Sequence, residues 1–416
     1  MSKIVIEGGY PLTGEIKIGG AKNSAVALIP AAILCDEKVT ISNVPNISDI
    51  DSLENILLHL NAKVERKEDL VQIDSSNIEN IKITKDLSKK LRASYYFMGA
   101  LLGKFKKVDM YFPGGCSIGQ RPINLHLEGF EKLGATIVEE EDRFIITADK
   151  LKGNNIYFDF PSVGATINIM LAAVKAEGKT IIENAAKEPE IVNVATFLNN
   201  MGAKIKGAGT SIIEITGVDY LKSCFHEVIP DRIEAGTYII IASLLGKNLR
   251  ISNIIPNHLD ALTSKLKEAG VEMEIGTDYI QINEVGDYKA VNIKTLGYPG
   301  FPTDLQQPLI PFLVSCNGKS KVEETLYENR FQNIYDTINM GADIKKISDR
   351  VVLINGKCQL EGKEVNATDL RGGASMIICG LIAKGTTTIS NIDYILRGYD
   401  DIVTKLQNVG AKIELK

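Results

Sequence analysis

Two hydrophobic periods take turns along the chain. Segments with apolar residues three and four apart end at a glycine or its substitute, and short stretches of strict apolar–polar alternation follow, as in Lys204-Ile205-Lys206. The junction recurs about every 70 residues: Asn61-Ala62-Lys63-Val64, Gly134-Ala135-Thr136-Ile137, Gly202-Ala203-Lys204-Ile205, Gly270-Val271-Glu272-Met273, Gly341-Ala342-Asp343-Ile344 and Gly410-Ala411-Lys412-Ile413. The pattern predicts helix, glycine cap, hairpin, used six times. A second recurrence lies upstream in five copies, a short strand closing on Asn or Glu, as in Lys38-Val39-Thr40-Ile41-Ser42-Asn43 and Ser320-Lys321-Val322-Glu323-Glu324. The remaining copy departs from its siblings, running from Val108-Asp109-Met110-Tyr111-Phe112 into Pro113-Gly114-Gly115-Cys116. A repeat that breaks its own rule is a place to look for chemistry.

Each unit reads as two helices and about four strands, an α/β pattern. At 416 residues the chain exceeds what one core supports. The expected division is three repeats per domain: residues 20–229, and residues 1–19 together with 230–416. The strand at 4–6 is assigned to the second domain because the final unit stops after Ile413-Glu414-Leu415 and lacks its closing strand, so the chain would pass between the domains twice.

Composition narrows the function. The six cysteines (Cys35, Cys116, Cys224, Cys316, Cys358, Cys379) form no CxxC pair, and four histidines lie at no metal-ligand spacing from them, so no disulfide framework and no metal site is expected. Cys35, Cys316, Cys358 and Cys379 read as core residues and Cys224 is undecided. Apolar runs at 238–245 and 374–383 are too short to cross a bilayer, and the first residues do not read as a secretion signal; a cytoplasmic protein without membrane contact is expected. A net charge of -5 gives no broad attraction for nucleic acid, so cations for an anionic substrate must be concentrated locally.

The leading helices of the units begin with small or polar residues and often a charge: Gly20-Ala21-Lys22-Asn23-Ser24, Leu91-Arg92-Ala93-Ser94, Ser162-Val163-Gly164, Pro230-Asp231-Arg232, Thr303-Asp304-Leu305, Thr368-Asp369-Leu370-Arg371. Such starts serve either as anion sites or as plain N-caps. A lysine or arginine in a first turn opposes the helix dipole and calls for an anion.

Taken together and in order, Gly20-Ala21-Lys22-Asn23, Pro113-Gly114-Gly115-Cys116-Ser117-Ile118-Gly119, Arg121-Pro122, Pro230-Asp231-Arg232-Ile233-Glu234-Ala235-Gly236-Thr237, Phe301-Pro302-Thr303-Asp304, Glu328-Asn329-Arg330-Phe331, Thr368-Asp369-Leu370-Arg371 and Arg397-Gly398-Tyr399 resemble the motif set of the enolpyruvyl transferase family, in its branch acting on UDP-N-acetylglucosamine. The resemblance spans essentially the whole chain. It implies a two-domain inside-out α/β barrel with an active site in the cleft between the domains. The implied activity is transfer of the enolpyruvyl group of phosphoenolpyruvate to the 3-hydroxyl of UDP-N-acetylglucosamine with release of phosphate, the first committed step of peptidoglycan precursor synthesis. No metal or organic cofactor is needed.

By similarity to the family, Lys22, Asn23, Arg121 and Arg397 would bind phosphoenolpyruvate, with Asp369 and Arg371 in support. Cys116 would protonate its methylene carbon and form a covalent adduct. Asp304 would take the proton of the sugar hydroxyl. The nucleotide sugar would be met by Asn23, Arg92, Arg121, Pro122, Ile123, Asn124 and Leu125, and further along by Ser162, Val163, Gly164, Asp304, Leu326 and Arg330. The chain departs from the family at Asn124, where an acid is common, and at Phe160, where some members carry lysine. The shikimate-pathway branch opens with a Ser-Lys-Ser element and lacks the Pro-Gly-Gly-Cys loop; here Ala21-Lys22-Asn23 stands.

Overall fold

The computed structural model of the chain describes residues 2–114 and 123–416. Cys116, Arg121 and Pro122 lie outside the described residues.

All six junctions are built alike. Asn61, Gly134, Gly202, Gly270, Gly341 and Gly410 take φ of 65°, 95°, 105°, 102°, 112° and 103°. The next residue sends its N–H back five residues, as from Ala203 to Leu198 O (3.0 Å) and from Val271 to Leu266 O (2.9 Å). This is the Schellman closure, which satisfies the orphan carbonyls of a helix end and needs a left-handed residue. A hairpin follows each of the first five, such as Lys63–Lys67 with Leu70–Asp74, or Asp343–Ser348 with Val351–Gly356, and the single strand Lys412–Leu415 follows Gly410.

The strands form six small open sheets, and among the described residues none closes into a barrel. In the complete version a hairpin pairs antiparallel with a third strand, and a short fourth strand joins that one in parallel: Phe225–Glu227 beside Lys38–Ser42, Asn155–Tyr157 beside Lys179–Glu183, Leu12–Lys17 beside Gly246–Ser252. The deviant repeat has three strands, its fourth reduced to one parallel bridge between Ile83 and Met110. In the last repeat the strand Ile4–Glu7 lies between Thr386–Ser390 and Lys412–Leu415, antiparallel to both, filling the place the final hairpin leaves open.

The fold is inside-out in this sense: the sheets bury one face, and helices fill each core. Lys22–Ala31, Tyr96–Phe105 and Val163–Ala173 fill one; Arg232–Leu245, Gln306–Ser315 and Leu370–Ile382 fill the other. Beyond their first turns they are apolar on nearly every side, as helices enclosed in a core must be. The chain divides into two compact units with separate cores, one made of the described residues of 20–229 and one of 2–19 with 230–416. No helix among the described residues is long and apolar enough to cross a membrane.

Candidate functional site

In the unit of residues 20–229 the leading helix Lys22–Ala31 has no side-chain cap and no acid in its first turn. Its first residue, Lys22, instead pairs with Asp49 at 2.7 Å, and both side chains are largely buried. Asp49 comes from the first turn of Ser48–His59, where a carboxylate is favoured by the helix dipole. Asn23 is half-buried beside Lys22.

A second group gathers in the same unit. Arg92 opens a 3-10 turn, Arg92–Tyr95, in place of the α-helical start expected there, and lies 5.9 Å from the Tyr95 ring. Tyr95 meets His126 edge-on at 5.1 Å. His126 follows Asn124 and Leu125 in the helix Asn124–Lys132. Its Nδ1 accepts from Asn168 Nδ2 (2.9 Å), and Asn168 Oδ1 accepts from Gly99 N (2.8 Å), so the imidazole proton rides on Nε2. Burial, aided by the Arg92 charge, lowers the His126 pKa to about 3, which keeps the ring neutral. Gly164, in the first turn of Val163–Ala173, faces this pair: a Cβ there would lie 2.9 Å from His126 Cε1 and 3.0 Å from Tyr95 Oη. Ser162 caps the helix, accepting from Ala165 N (3.3 Å). Arg92, Ile123-Asn124-Leu125 and Ser162-Val163-Gly164 are thus brought around Tyr95 and His126, two residues that sequence reasoning missed although both adjoin residues it singled out.

The other unit holds a charged cluster. Asp304 lies in the 3-10 turn Thr303–Leu305 and does not cap the helix that follows. Its carboxylate accepts from Arg330 Nη2 at 2.7 Å and Arg371 Nη2 at 3.2 Å, and both arginine side chains are only 3% exposed. Burial alone would push the Asp304 carboxyl up; the Arg371 and Arg330 guanidiniums outweigh it and hold it far below the usual carboxylate range. Asp369 is an N-cap: its Oδ1 accepts from Arg371 N (3.0 Å) and Gly372 N (3.1 Å), and its Oδ2 from Gln307 Nε2 (2.9 Å). The Tyr399 ring lies 5.2 Å from the Arg371 guanidinium. Arg397, half-buried, follows the short helix Asp393–Leu396, two residues before Tyr399. Leu326 is exposed, and its N–H is bonded to Glu324. The Nε atoms of Arg330 and Arg371 and both amide atoms of Gln306 are buried without a hydrogen-bond partner among the described residues. Buried donors of this kind are costly unless something accepts from them.

Four of the thiols other than Cys116 are held protonated. Burial raises Cys35, and pushes Cys224 up to about 11 and Cys316 and Cys379 to about 12. Cys358 is half-buried rather than a core residue, because its Sγ turns to donate to Asn355 O (3.1 Å) at the end of its hairpin.

Residues 6–406 match the family described as EPSP synthase (3-phosphoshikimate 1-carboxyvinyltransferase). The chain is 52% identical over 417 residues to UDP-N-acetylglucosamine 1-carboxyvinyltransferase 2 of Streptococcus pneumoniae, covering 100% of this chain and 99% of that one. It is 52% identical over 411 residues to the protein of the same name from Listeria monocytogenes, covering 99% and 97%. Among solved structures it is similar to the enolpyruvyl transferase NikO of Streptomyces tendae (TM-score 0.90, 24% identity, 100% and 99% covered). It is also similar to an EPSP synthase of Acinetobacter baumannii (TM-score 0.76, 18% identity, both chains fully covered).

Proposed function

The chain belongs to the enolpyruvyl transferase family, and we propose that it acts as a UDP-N-acetylglucosamine 1-carboxyvinyltransferase, moving the carboxyvinyl group of phosphoenolpyruvate onto the sugar 3-hydroxyl and releasing phosphate. The observation that carries this is the 52% identity over the full length of both chains.

Lys22, Arg121 and Arg397 hold the phosphate and carboxylate of phosphoenolpyruvate, with Asn23 beside them. Lys22 keeps Asp49 as its partner, which fixes the ammonium in place; the arginine forks suit bidentate contacts to the anion. The nucleotide sugar lies against Arg92, the 121–125 segment and Ser162-Val163-Gly164. The neutral His126 keeps a charge out of this wall, and Gly164 leaves room for His126 and Tyr95 to pack against the helix start.

The sugar oxygen attacks C2 of phosphoenolpyruvate and gives its proton to Asp304, while Cys116 delivers a proton to C3, making a tetrahedral phosphate ketal. Phosphate then leaves, taking the proton held by Asp304, as the Cys116 thiolate takes back a methyl proton, restoring the double bond. Asp304 is a weak base while two guanidiniums hold it, so proton uptake requires one of them to turn to the substrate. The unpartnered Nε atoms of Arg330 and Arg371 support that exchange.

Phosphate release measured with phosphoenolpyruvate and either acceptor tests the reading. Turnover with UDP-N-acetylglucosamine and none with shikimate 3-phosphate is expected; the reverse would transfer the chain to the other branch.

A further inference from the structure

The strand that enters each core hairpin ends on a polar residue. In four repeats this is an asparagine with φ between 55° and 58°: Asn43, Asn184, Asn253 and Asn391. In the first three of these the Nδ2 donates to the carbonyl of the residue just past the parallel neighbour strand: Val228 (2.8 Å), Phe158 (2.8 Å) and Ile18 (2.7 Å). In the fifth repeat Glu324 takes this place. It has 0% exposure and makes no ion pair among the described residues. Its Oε1 accepts from Thr295 Oγ1 (2.9 Å), Leu326 N (2.8 Å) and Tyr327 N (3.2 Å), and its Oε2 from Thr303 Oγ1 (2.8 Å). Thr295 follows the parallel strand Ile293–Lys294; its backbone carbonyl, the acceptor used in the siblings, takes a bond from Thr325 Oγ1 (2.6 Å), and its hydroxyl is what donates to Glu324.

An amide fills this place elsewhere, so a buried carboxylate without a counter-charge is an expensive substitute on structural grounds alone. It can accept four hydrogen bonds at once, which an amide cannot. What the additional bonds hold is specific. Thr303 precedes Asp304, and Leu326 and Tyr327 begin the segment leading to Arg330, whose guanidinium lies 5.5 Å from the Tyr327 ring. One side chain grips both halves of the Asp304–Arg330 pair.

We propose that Glu324 is a positioning residue for the transfer reaction, setting the Asp304 carboxylate and the Arg330 guanidinium in register for the acceptor hydroxyl. This rests on the reading of Asp304 as the proton acceptor. Glu324 itself touches no substrate.

Glu324→Gln, Thr303→Val, Asp304→Asn and, as a sibling control, Asn253→Gly are compared by steady-state kinetics against pH and by thermal unfolding. Glu324→Gln is expected to lower kcat about ten-fold or more, the scale of a slightly displaced catalytic group. Its KM for phosphoenolpyruvate stays near wild type, and the acid limb of kcat moves to higher pH as Asp304 loosens from Arg330. Thr303→Val shows the same changes more weakly with Tm kept, and it carries the test should Glu324→Gln not fold. Asn253→Gly lowers Tm and leaves kcat unchanged. If Glu324→Gln and Thr303→Val keep kcat and its pH profile while Asp304→Asn is inactive, the positioning role is overturned and the reading of Asp304 stands. If Asp304→Asn turns over normally, both fall.

Discussion

At the scale of single residues, Asp304 and Cys116 are the pair that would move protons, and each carries a measurable consequence. Asp304 is held ionised by Arg371 and Arg330 against the effect of burial. Its folded pKa is depressed, so its contribution to stability is full above the unfolded value of about 3.9 and is lost as pH falls from there toward the folded value. Wild-type stability is expected to fall below about pH 4 by up to about 1.4 kcal/mol per pH unit through this group. Asp304→Asn is less stable at pH 7 by about 3–5 kcal/mol, because it leaves two buried guanidiniums short of a partner, and its curve converges on wild type in acid. Urea unfolding at several pH values checks this; parallel curves would refute it. Cys116 is expected to be alkylated by the epoxide phosphonate fosfomycin, seen as a mass increase on its peptide. Cys35, Cys224, Cys316 and Cys379, protonated and at least half-buried, remain unlabelled. Gly164→Ala places a methyl against His126 and Tyr95, and the KM for UDP-N-acetylglucosamine should rise several-fold with that for phosphoenolpyruvate unchanged.

Among the elements, the helix–cap–hairpin unit is repeated chemistry, and substitutions at its cap behave predictably. Gly270 has open space around its Cβ position but φ of 102°, so Gly270→Ala costs about 1 kcal/mol through backbone strain alone. Asn61, at φ 65°, already tolerates the left-handed region, and Asn61→Gly changes stability by a few tenths of a kcal/mol. Denaturant midpoints read both. These junctions were legible in the sequence because glycine and asparagine mark them directly. The parallel fourth strands were not, since Asn155–Tyr157 and Ile293–Lys294 are too short to show an alternation. Nor did the sequence say that Arg92 and Asp304 sit in 3-10 turns, or that Asp304 would serve as a partner for two arginines rather than as a cap. The family motifs singled out Arg330 and Arg371, but the pairing joins residues 26 and 67 positions away, and no local pattern encodes it. Glu324 escaped notice because Glu and Asn look interchangeable as strand ends until their hydrogen bonds are counted.

For the whole molecule, two units with separate cores imply separable stability. Ile4–Glu7 is a central strand of its sheet with Ile4 and Ile6 fully buried, and Val5 is paired on both sides. Val5→Pro removes a ladder donor where proline is not accommodated and should destabilise the unit of 2–19 and 230–416 by about 3 kcal/mol or more. Hydrogen exchange resolved by segment is expected to show lost protection there and unchanged protection in 20–229. Loss throughout would mean that the cores do not unfold independently.

The same strand imposes an order on manufacture. As the ribosome extends the chain, residues 20–229 can condense once they have emerged, for Ala21 and Ile229 hydrogen-bond each other and close that segment on itself. Ile4–Glu7, made before that unit, must wait for Lys412–Leu415, made after it, and until then its apolar edge stands bare. Premature stop codons between the codons for Ile229 and Lys412 therefore yield a finished half-molecule tethered to a sticky leader, a product that quality-control proteases and chaperones would meet before any substrate does.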